Sequence, residues 1–153
     1  MRVACSSAVF SAPAGGETTP VTLRLLLVDD SPEFLESAVR LLRRLPFVAV
    51  RCVMRAEDAL AELERFNPDI MVLDLMLLDM DGLKVAQKVK QRPRPPKVVI
   101  LSPSDDLKCW DAARASGVDR LISKRRLFVE LLHCIGTLLR QIPAKPMPIR
   151  RTA

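Results

Sequence analysis

Short runs of apolar residues alternate along the chain with segments in which apolar residues recur every three or four positions. Five runs have the length and composition of buried strands: residues 23–28, 48–54, 70–75, 98–101 and 120–123. The segments between and after them show one apolar face and are predicted as helices: residues 32–45, 56–66, 83–91, 105–116 and 127–142. The pattern therefore predicts five consecutive strand–helix units.

Local signals mark where several of these predicted elements begin and end. Ser31 is a helix N-cap that is followed by Pro32 at the first helical position, and Pro46 ends that helix. Asn67 precedes a proline and ends the second helix, while Gly117 is placed to cap the fourth. Strands that are apolar on both faces and alternate with helices are typical of an α/β fold, in which helices cover both sides of a parallel sheet.

Polar residues stand at the ends of four of the predicted strands. Asp29 and Asp30 follow the first strand, Asp74 lies at the end of the third, Ser102 follows the fourth and Lys124 follows the fifth. Open parallel sheets bind their ligands at the carboxyl ends of the strands. Three converging carboxylates repel one another, and a hard cation such as Mg²⁺ relieves this repulsion. With a lysine and a hydroxyl for an anionic ligand, these residues are the parts of a phosphoryl-transfer site.

Composition and charge limit the classes of protein to which the chain can belong. The chain has 153 residues, enough for one domain with a hydrophobic core, and 49% of them are hydrophobic. Charged residues interrupt every apolar stretch, so no membrane span is expected. The net charge of +6 is scattered over several segments without interleaved aromatic residues, so a nucleic-acid partner is disfavoured and remains a minor alternative.

The cysteines, the single histidine and the two ends of the chain suggest no further chemistry. The four cysteines lack metal-like spacing, and His133 alone offers little for a zinc site or a Ser-His-Asp triad. We expect reduced thiols and a cytoplasmic location. Residues 1–21 are predicted to be a flexible leader rather than a signal peptide, and residues 143–153 a basic, Pro-rich tail.

Four segments resemble, in order, the signature segments of the response-regulator receiver family. They are LLLVDDSPEF, PDIMVLDLMLLDMDGL, VVILS and GVDRLISK. The separations also fit the family: 44 positions from Asp30 to Asp74, 28 from there to Ser102, and 22 on to Lys124. The resemblance covers residues 22–142 and implies a flavodoxin-like, doubly wound sheet of five parallel strands in the order 2-1-3-4-5.

The resemblance implies a role for each polar residue at the strand ends. Asp74 corresponds to the phosphoacceptor, and Ser102 and Lys124 correspond to the residues that bind the phosphoryl group. The implied Mg²⁺ ligands are Asp29, Asp30, Asp74 and the backbone carbonyl of Met76. The implied donor is a histidine kinase or a phosphotransfer protein, and the signal passes to a downstream protein that the sequence does not identify. We expect no enzymatic activity beyond the domain's own phosphorylation and dephosphorylation.

Three positions around the phosphoryl-binding residues depart from the family pattern. Pro103 follows Ser102 and has no backbone N–H to donate to a phosphoryl group. Leu121 stands where the family has an aromatic residue that moves on activation. Arg125 replaces a proline that is often cis in the family, so a trans peptide is expected there.

The loop after Asp74 carries residues that are typical of turns. Asp79 and Asp81 are predicted as turn residues, with Gly82 supplying permissive backbone angles. Leu78 stands where the family has a proline, so the backbone conformation of this loop is expected to be less restricted.

Two functions of different class fit these features. The first is a phosphorylated signalling module, which the intact set of acidic residues favours. The second is an adaptor that binds Mg²⁺ but whose output no longer depends on phosphorylation, which Pro103 and Leu121 favour. An aspartate-nucleophile phosphatase is disfavoured, because the D-x-D spacing of that class is missing at the strand ends.

The segment LPFVAVRCVMRAEDAL resembles the receivers of LuxR-type helix-turn-helix regulators. The last segment, PAKPMPIRRTA, is too short for such a DNA-binding module. We therefore expect a single-domain response regulator.

The receiver family uses its fourth helix, fifth strand and fifth helix for output and dimerisation. The corresponding candidates here are Leu107, Trp110, Leu121, Phe128 and Leu131. Trp110 fits either an interface anchor or a core residue. Apolar residues widen the face of the last helix beyond one stripe and suggest a homodimer: Leu127, Val129 and Cys134.

Overall fold

The computed structural model describes residues 23–45, 47–103 and 107–141. Five strands are present: β1 (Leu23–Val28), β2 (Val48–Val53), β3 (Ile70–Asp74), β4 (Lys97–Ser102) and β5 (Arg120–Ser123). Five α-helices alternate with them: α1 (Pro32–Leu42), α2 (Ala56–Phe66), α3 (Gly82–Lys90), α4 (Leu107–Ala115) and α5 (Leu127–Leu139). A single 3₁₀ turn, Lys124–Arg126, joins β5 to α5.

All five strands pair in parallel, in the order β2-β1-β3-β4-β5. The predicted doubly wound sheet is therefore confirmed. β1 lies between β2 and β3, so the chain reverses its direction of winding between β2 and β3. At this switch point the carboxyl ends of β1 and β3 lie side by side, where such sheets bind ligands.

Apolar residues of the sheet build a hydrophobic core on each face. Along β1, Leu25 and Leu27 pack in the core that α1 and α5 cover, while Leu26 and Val28 pack in the core that α2 and α3 cover. All four side chains are at most 1% exposed. A strand that alternates its side chains between two buried faces must be apolar throughout, which explains the unbroken apolar runs in the sequence.

Several element boundaries differ from the predicted ones by a few residues. α1 ends at Leu42, because Arg43 and Arg44 close a turn by donating their N–H groups to Val39 and Leu41. Asn67 and Gly117 follow α2 and α4 with positive φ angles of 49° and 76°, as expected of helix-ending residues. The predicted stop at Pro46, the predicted end of the last helix at Ile142, the leader and the tail lie outside the described residues.

No helix among the described residues has both the length and the apolarity that crossing a membrane requires. Cis peptide bonds are likewise absent from this part of the chain, so the peptide between Lys124 and Arg125 is trans, as predicted.

Candidate metal and phosphoryl site

Three aspartates converge at the carboxyl ends of β1 and β3. Val28 pairs with Leu73 in the sheet, so the residues that follow them, Asp29 and Asp74, lie next to each other. Each of the three aspartates, Asp30 included, offers a carboxylate oxygen, and these oxygens lie within 4.8 Å of one another. Asp29 is fully buried and Asp74 is 4% exposed. Buried carboxylates at this separation repel one another strongly unless a positive charge joins them.

Lys124 supplies one such positive charge from the end of β5. Its Nζ atom lies 2.6 Å from Oδ2 of Asp29 and 3.1 Å from Oδ2 of Asp74. The Oδ2 atom of Asp29 accepts no hydrogen bond of regular geometry within the described part of the chain, so the ammonium group is its counter-charge. The other oxygen of Asp29 accepts a hydrogen bond from Ser31 N at 2.9 Å.

The surroundings of Asp74 and Lys124 raise the pKa of both side chains. Burial raises the pKa of Asp74, and the charge of Asp29 adds to this, while the hydrogen bond from Lys124 only partly opposes it. Burial alone would lower the pKa of Lys124, but the carboxylates of Asp29 and Asp74 beside its ammonium group outweigh burial and raise it. Lys124 is therefore firmly cationic, and Asp74 is a carboxylate that a bound divalent cation would help to keep ionised.

The donor set at this edge suits Mg²⁺. It consists of oxygen atoms, and Mg²⁺ binds through a few carboxylates while keeping several waters. The main chain of Met76 lies beside the cluster, because its N–H donates to Oδ1 of Asp74 at 3.3 Å. The residues that the resemblance gives as metal ligands are thus brought together, and an oxygen-binding divalent cation fits them.

The loop between β3 and α3 is fastened at several points. Met76 and Asp81 pair across it in an antiparallel bridge. Gly82 N donates to Leu75 O at 2.9 Å, and Asp81 caps α3 by accepting from Leu83 N at 2.8 Å. This loop is held by local contacts although it lacks the family's proline.

Gly82 is required in this loop for a different reason from the predicted one. Its φ angle is not positive, so permissive backbone angles are not the reason. A Cβ atom at this position would lie 2.9 Å from the Cα of Leu75 and closer still to the carbonyl oxygen of Asp74. Only a residue without a side chain allows the loop to pass this close to the end of β3.

Asp79 has a contact that sequence reasoning missed. Its carboxylate accepts hydrogen bonds from Ala56 N at 3.0 Å and from Glu57 N at 3.3 Å, and so caps the start of α2. The predicted turn residue therefore joins the loop after Asp74 to a helix 23 positions earlier in the chain. No local sequence signal could reveal this, because the capping residue normally directly precedes its helix.

Ser102 ends β4 at the same edge of the sheet. It is 1% exposed and pairs with Ser123 of β5, while Leu101 before it pairs with Asp74. Pro103 follows it on the surface. This edge of the site therefore keeps the serine hydroxyl but lacks the backbone N–H of the next residue.

The predicted output residues divide into buried and exposed ones. Leu121 and Leu131 are buried in the core at 8% and 0% exposure, whereas Trp110 and Phe128 are 42% and 49% exposed. The side chain of Leu107 lies outside the described part of the structure. The prediction that Leu127 and Cys134 widen the exposed apolar face was wrong, because both are buried in the core beneath α1 and α5. Val129 is 80% exposed.

Comparisons with known proteins give the class of protein. The family model of the response regulator receiver domain matches residues 25–135. The chain therefore belongs to this family, whose members act in two-component signalling.

Individual relatives agree with this assignment. The chain is 29% identical over 119 residues to the transcriptional regulatory protein TrcR of Mycobacterium tuberculosis, covering 78% of this chain and 46% of that protein. It is 31% identical over 106 residues to the positive alginate biosynthesis regulatory protein of Pseudomonas aeruginosa, covering 68% of this chain and 42% of that one. The chain thus spans less than half the length of either relative.

A solved structure shares both fold and sequence. It is a two-component response regulator of the LuxR family from Aurantimonas, with a TM-score of 0.72 and 27% identity. The likeness covers 81% of this chain and 89% of that one. The parallel sheet described above is therefore the receiver fold.

Proposed function

We propose that this receiver accepts a phosphoryl group on Asp74 from the phosphohistidine of a histidine kinase or phosphotransfer protein, and signals its state to a downstream protein. The observation that carries the proposal is the geometry around Asp74. Its buried carboxylate lies within 4.8 Å of two further carboxylates and 3.1 Å from a lysine ammonium. This arrangement combines a nucleophile, a set of cation ligands and a group that binds an anion.

Each residue has a defined task in the proposed transfer. A carboxylate oxygen of Asp74 attacks the phosphorus, the N–P bond breaks, and the imidazole nitrogen keeps the bonding electrons and takes up a proton. Lys124 binds the equatorial phosphoryl oxygens, with Ser102 as a hydroxyl donor. Asp29, Asp30, Asp74 and the Met76 carbonyl would hold Mg²⁺, which neutralises the charge that gathers on the phosphoryl group. The protein is modified once per transfer, so we propose no enzymatic activity on other substrates.

A specific observation supports the second candidate, a phosphorylation-independent adaptor. Pro103 stands on the surface directly after Ser102 and cannot donate an N–H, so a phosphoryl group on Asp74 has one donor fewer. Leu121, in place of the family's mobile aromatic residue, is 8% exposed and packs in the core. Both features weaken the coupling between phosphorylation and a change of surface.

The first experiment measures the intact mass of the protein after incubation with Mg²⁺ and acetyl phosphate. We expect one phosphoryl adduct that requires Mg²⁺ and is absent from Asp74→Asn. The matched control is Asp58→Asn, which removes an exposed carboxylate from α2 and leaves the adduct unchanged. No adduct in a wild-type protein that still binds Mg²⁺ would contradict the phosphoacceptor and favour the adaptor.

We further propose that α4 and α5 form a contact surface, through which the protein pairs with a second copy. Four apolar side chains on these helices are between 38% and 80% exposed: Trp110, Phe128, Val129 and Leu132. Light scattering of the phosphorylated protein over a concentration series would detect the dimer, and Phe128→Ser should reduce its population. Leu78→Ser, which removes an equally apolar residue from another surface, should not. A monomeric mass at all concentrations would rule out the dimer.

The proposed donors act in the cytoplasm, so we also propose a cytoplasmic location.

A further inference from the structure

The ammonium group of Lys124 has a neighbour besides the two carboxylates. The ring of Phe34 lies below it, with its centroid 4.9 Å from Nζ. This distance is within the range of a cation–π contact, in which the negative face of an aromatic ring attracts a cation. Phe34 belongs to α1 and Lys124 follows β5, so the contact joins two separate elements around the acidic cluster.

Phe34 is held firmly in its own position. Its backbone N–H donates to Oγ of Ser31, the N-cap of α1, and its side chain packs against the core between α1 and α5. Ser31 N in turn donates to Asp29 at 2.9 Å. The ring is therefore fixed to the same turn that carries the acidic pair, and its position relative to Asp29 is set by the fold.

The two carboxylate partners of Lys124 change during the proposed reaction, whereas the ring does not. Asp29 would direct its carboxylate to the cation once Mg²⁺ is bound, and phosphorylation would move the negative charge from the Asp74 carboxylate to the phosphoryl oxygens. Lysine is a flexible side chain whose ammonium group is free to swing into water when its partners are lost. At 25% exposure, Lys124 lies close enough to solvent for this movement.

We propose that Phe34 is a positioning residue, whose ring keeps the Lys124 ammonium over the site while its carboxylate partners are taken by the cation and the phosphoryl group. This inference rests on the proposed phosphoacceptor function. It adds to that function the residue that prepares Lys124 for the incoming phosphoryl oxygens. In this role Phe34 acts through Lys124 and not directly on the cation or the phosphoryl group.

The test measures the affinity for beryllofluoride, a phosphoryl mimic, by calorimetry at saturating Mg²⁺. Phe34→Leu removes the ring but keeps an apolar side chain, and we expect the affinity to fall about 5-fold, as for one half-buried cation–π contact. Phe34→Tyr keeps a ring and should bind like the wild type. The matched control is Phe66→Leu, which removes a ring that makes a similar contact elsewhere, 4.8 Å from the guanidinium of Arg51.

A double-mutant cycle separates positioning from a general loss of packing. In a Lys124→Gln background, Phe34→Leu should cause no further loss of affinity, because the cation that the ring holds is gone. An equal loss in both backgrounds would refute the positioning role, and so would a Phe34→Leu variant that binds like the wild type.

An NMR measurement tests the contact without any phosphoryl chemistry. The ε-CH₂ protons of Lys124 should resonate upfield of ordinary lysine because of the ring current, and should return to ordinary values in Phe34→Leu but not in Phe34→Tyr. An unshifted resonance in the wild type would contradict the positioning role of Phe34 but not the proposed phosphoacceptor function. A wild-type protein that binds Mg²⁺ but no beryllofluoride, with the shift present, refutes the proposed function and the positioning role with it.

Discussion

Replacing Asp79 with alanine would leave two backbone N–H groups at the start of α2 without their carboxylate acceptor. In the structure, Oδ1 of Asp79 accepts from Ala56 N at 3.0 Å and Oδ2 accepts from Glu57 N at 3.3 Å. Arg55, the N-cap residue of α2, makes no capping hydrogen bond with its own side chain. Asp79 thus does from the β3–α3 loop what an N-cap residue usually does from the position directly before the helix.

The expected loss follows from these contacts. Removing a side-chain cap costs about 0.5–2 kcal/mol, and the loss of a negative charge at a helix N-terminus costs about 0.3–1 kcal/mol more. The contact with Arg55 at 3.9 Å adds little, because that side chain is 60% exposed. We therefore expect Asp79→Ala to lower the free energy of unfolding by about 1.5 kcal/mol, and Tm by roughly 5 °C for a chain of this size.

The loss should depend on pH in a definite direction. Burial would raise the pKa of Asp79, but hydrogen bonds from the backbone of Ala56 and Glu57 outweigh burial and lower it below 3.8. A carboxyl whose pKa is lower in the folded state stabilises the fold above its unfolded pKa, and this contribution is lost as the pH falls through the lowered value. The difference between wild type and variant should therefore be full at neutral pH and shrink only in acid.

Urea denaturation followed by far-UV circular dichroism measures this difference. The matched control is Asp58→Ala, which removes an exposed carboxylate from the first turn of the same helix. It should lose only the charge–dipole contribution. Equal losses in the two variants at neutral pH would show that Asp79 does not cap α2.

Two further predictions concern the same edge of the sheet. In metal-free protein at neutral pH, Asp74→Asn should raise the free energy of unfolding. Burial raises the pKa of Asp74 in the folded state, so its protonated form stabilises the fold in acid, and this contribution is lost as the pH rises through the raised value. At neutral pH the buried negative charge is therefore unfavourable, and the variant removes it. Added Mg²⁺ should then raise the Tm of the wild type more than that of the variant, and equal shifts would argue against a cation at Asp74. Gly82→Ala should lower the stability by about 1–3 kcal/mol and weaken Mg²⁺ binding in titration calorimetry, because the added Cβ meets the backbone at Asp74 and Leu75. Unchanged affinity would show that the loop adapts without moving Asp74.

The fold and the acidic cluster could be predicted because both depend on short segments of sequence. An apolar run such as Leu23–Val28, buried on both faces of a sheet, ends where the chain leaves the core, and the next residue is free to be Asp29. Since parallel strands bring their carboxyl ends to one edge, the placement of Asp29 beside Asp74 follows from the strand pattern once β1 and β3 are adjacent.

The parts that were missed depend on contacts between distant segments. The cap that Asp79 provides for α2 and the ring that Phe34 presents to Lys124 join residues far apart in sequence. The exposure of α5 was misjudged for the same reason. An apolar arc cannot tell whether a neighbouring element covers it, and here the core beneath α1 and α5 takes up Leu127 and Cys134 but leaves Val129 in solvent.

The site has one group of residues proposed to bind the cation (the cation side) and another proposed to bind the phosphoryl group. The two groups differ in how many of the residues typical of the family are present. The cation side keeps all three carboxylates, with Asp29 and Asp74 buried, and a loop that Gly82 and Asp79 hold beside them. The side proposed to bind a phosphoryl group keeps Lys124 and Ser102, but Pro103 stands where the family has a backbone donor. Mg²⁺ affinity should therefore be ordinary for a site of this kind, while a phosphoryl group on Asp74 would be held by fewer donors. How firmly the phosphoryl group is held distinguishes a switch from an adaptor. An acidic cluster serves both functions equally well, whereas only a switch needs a phosphoryl group that stays in place long enough to be recognised.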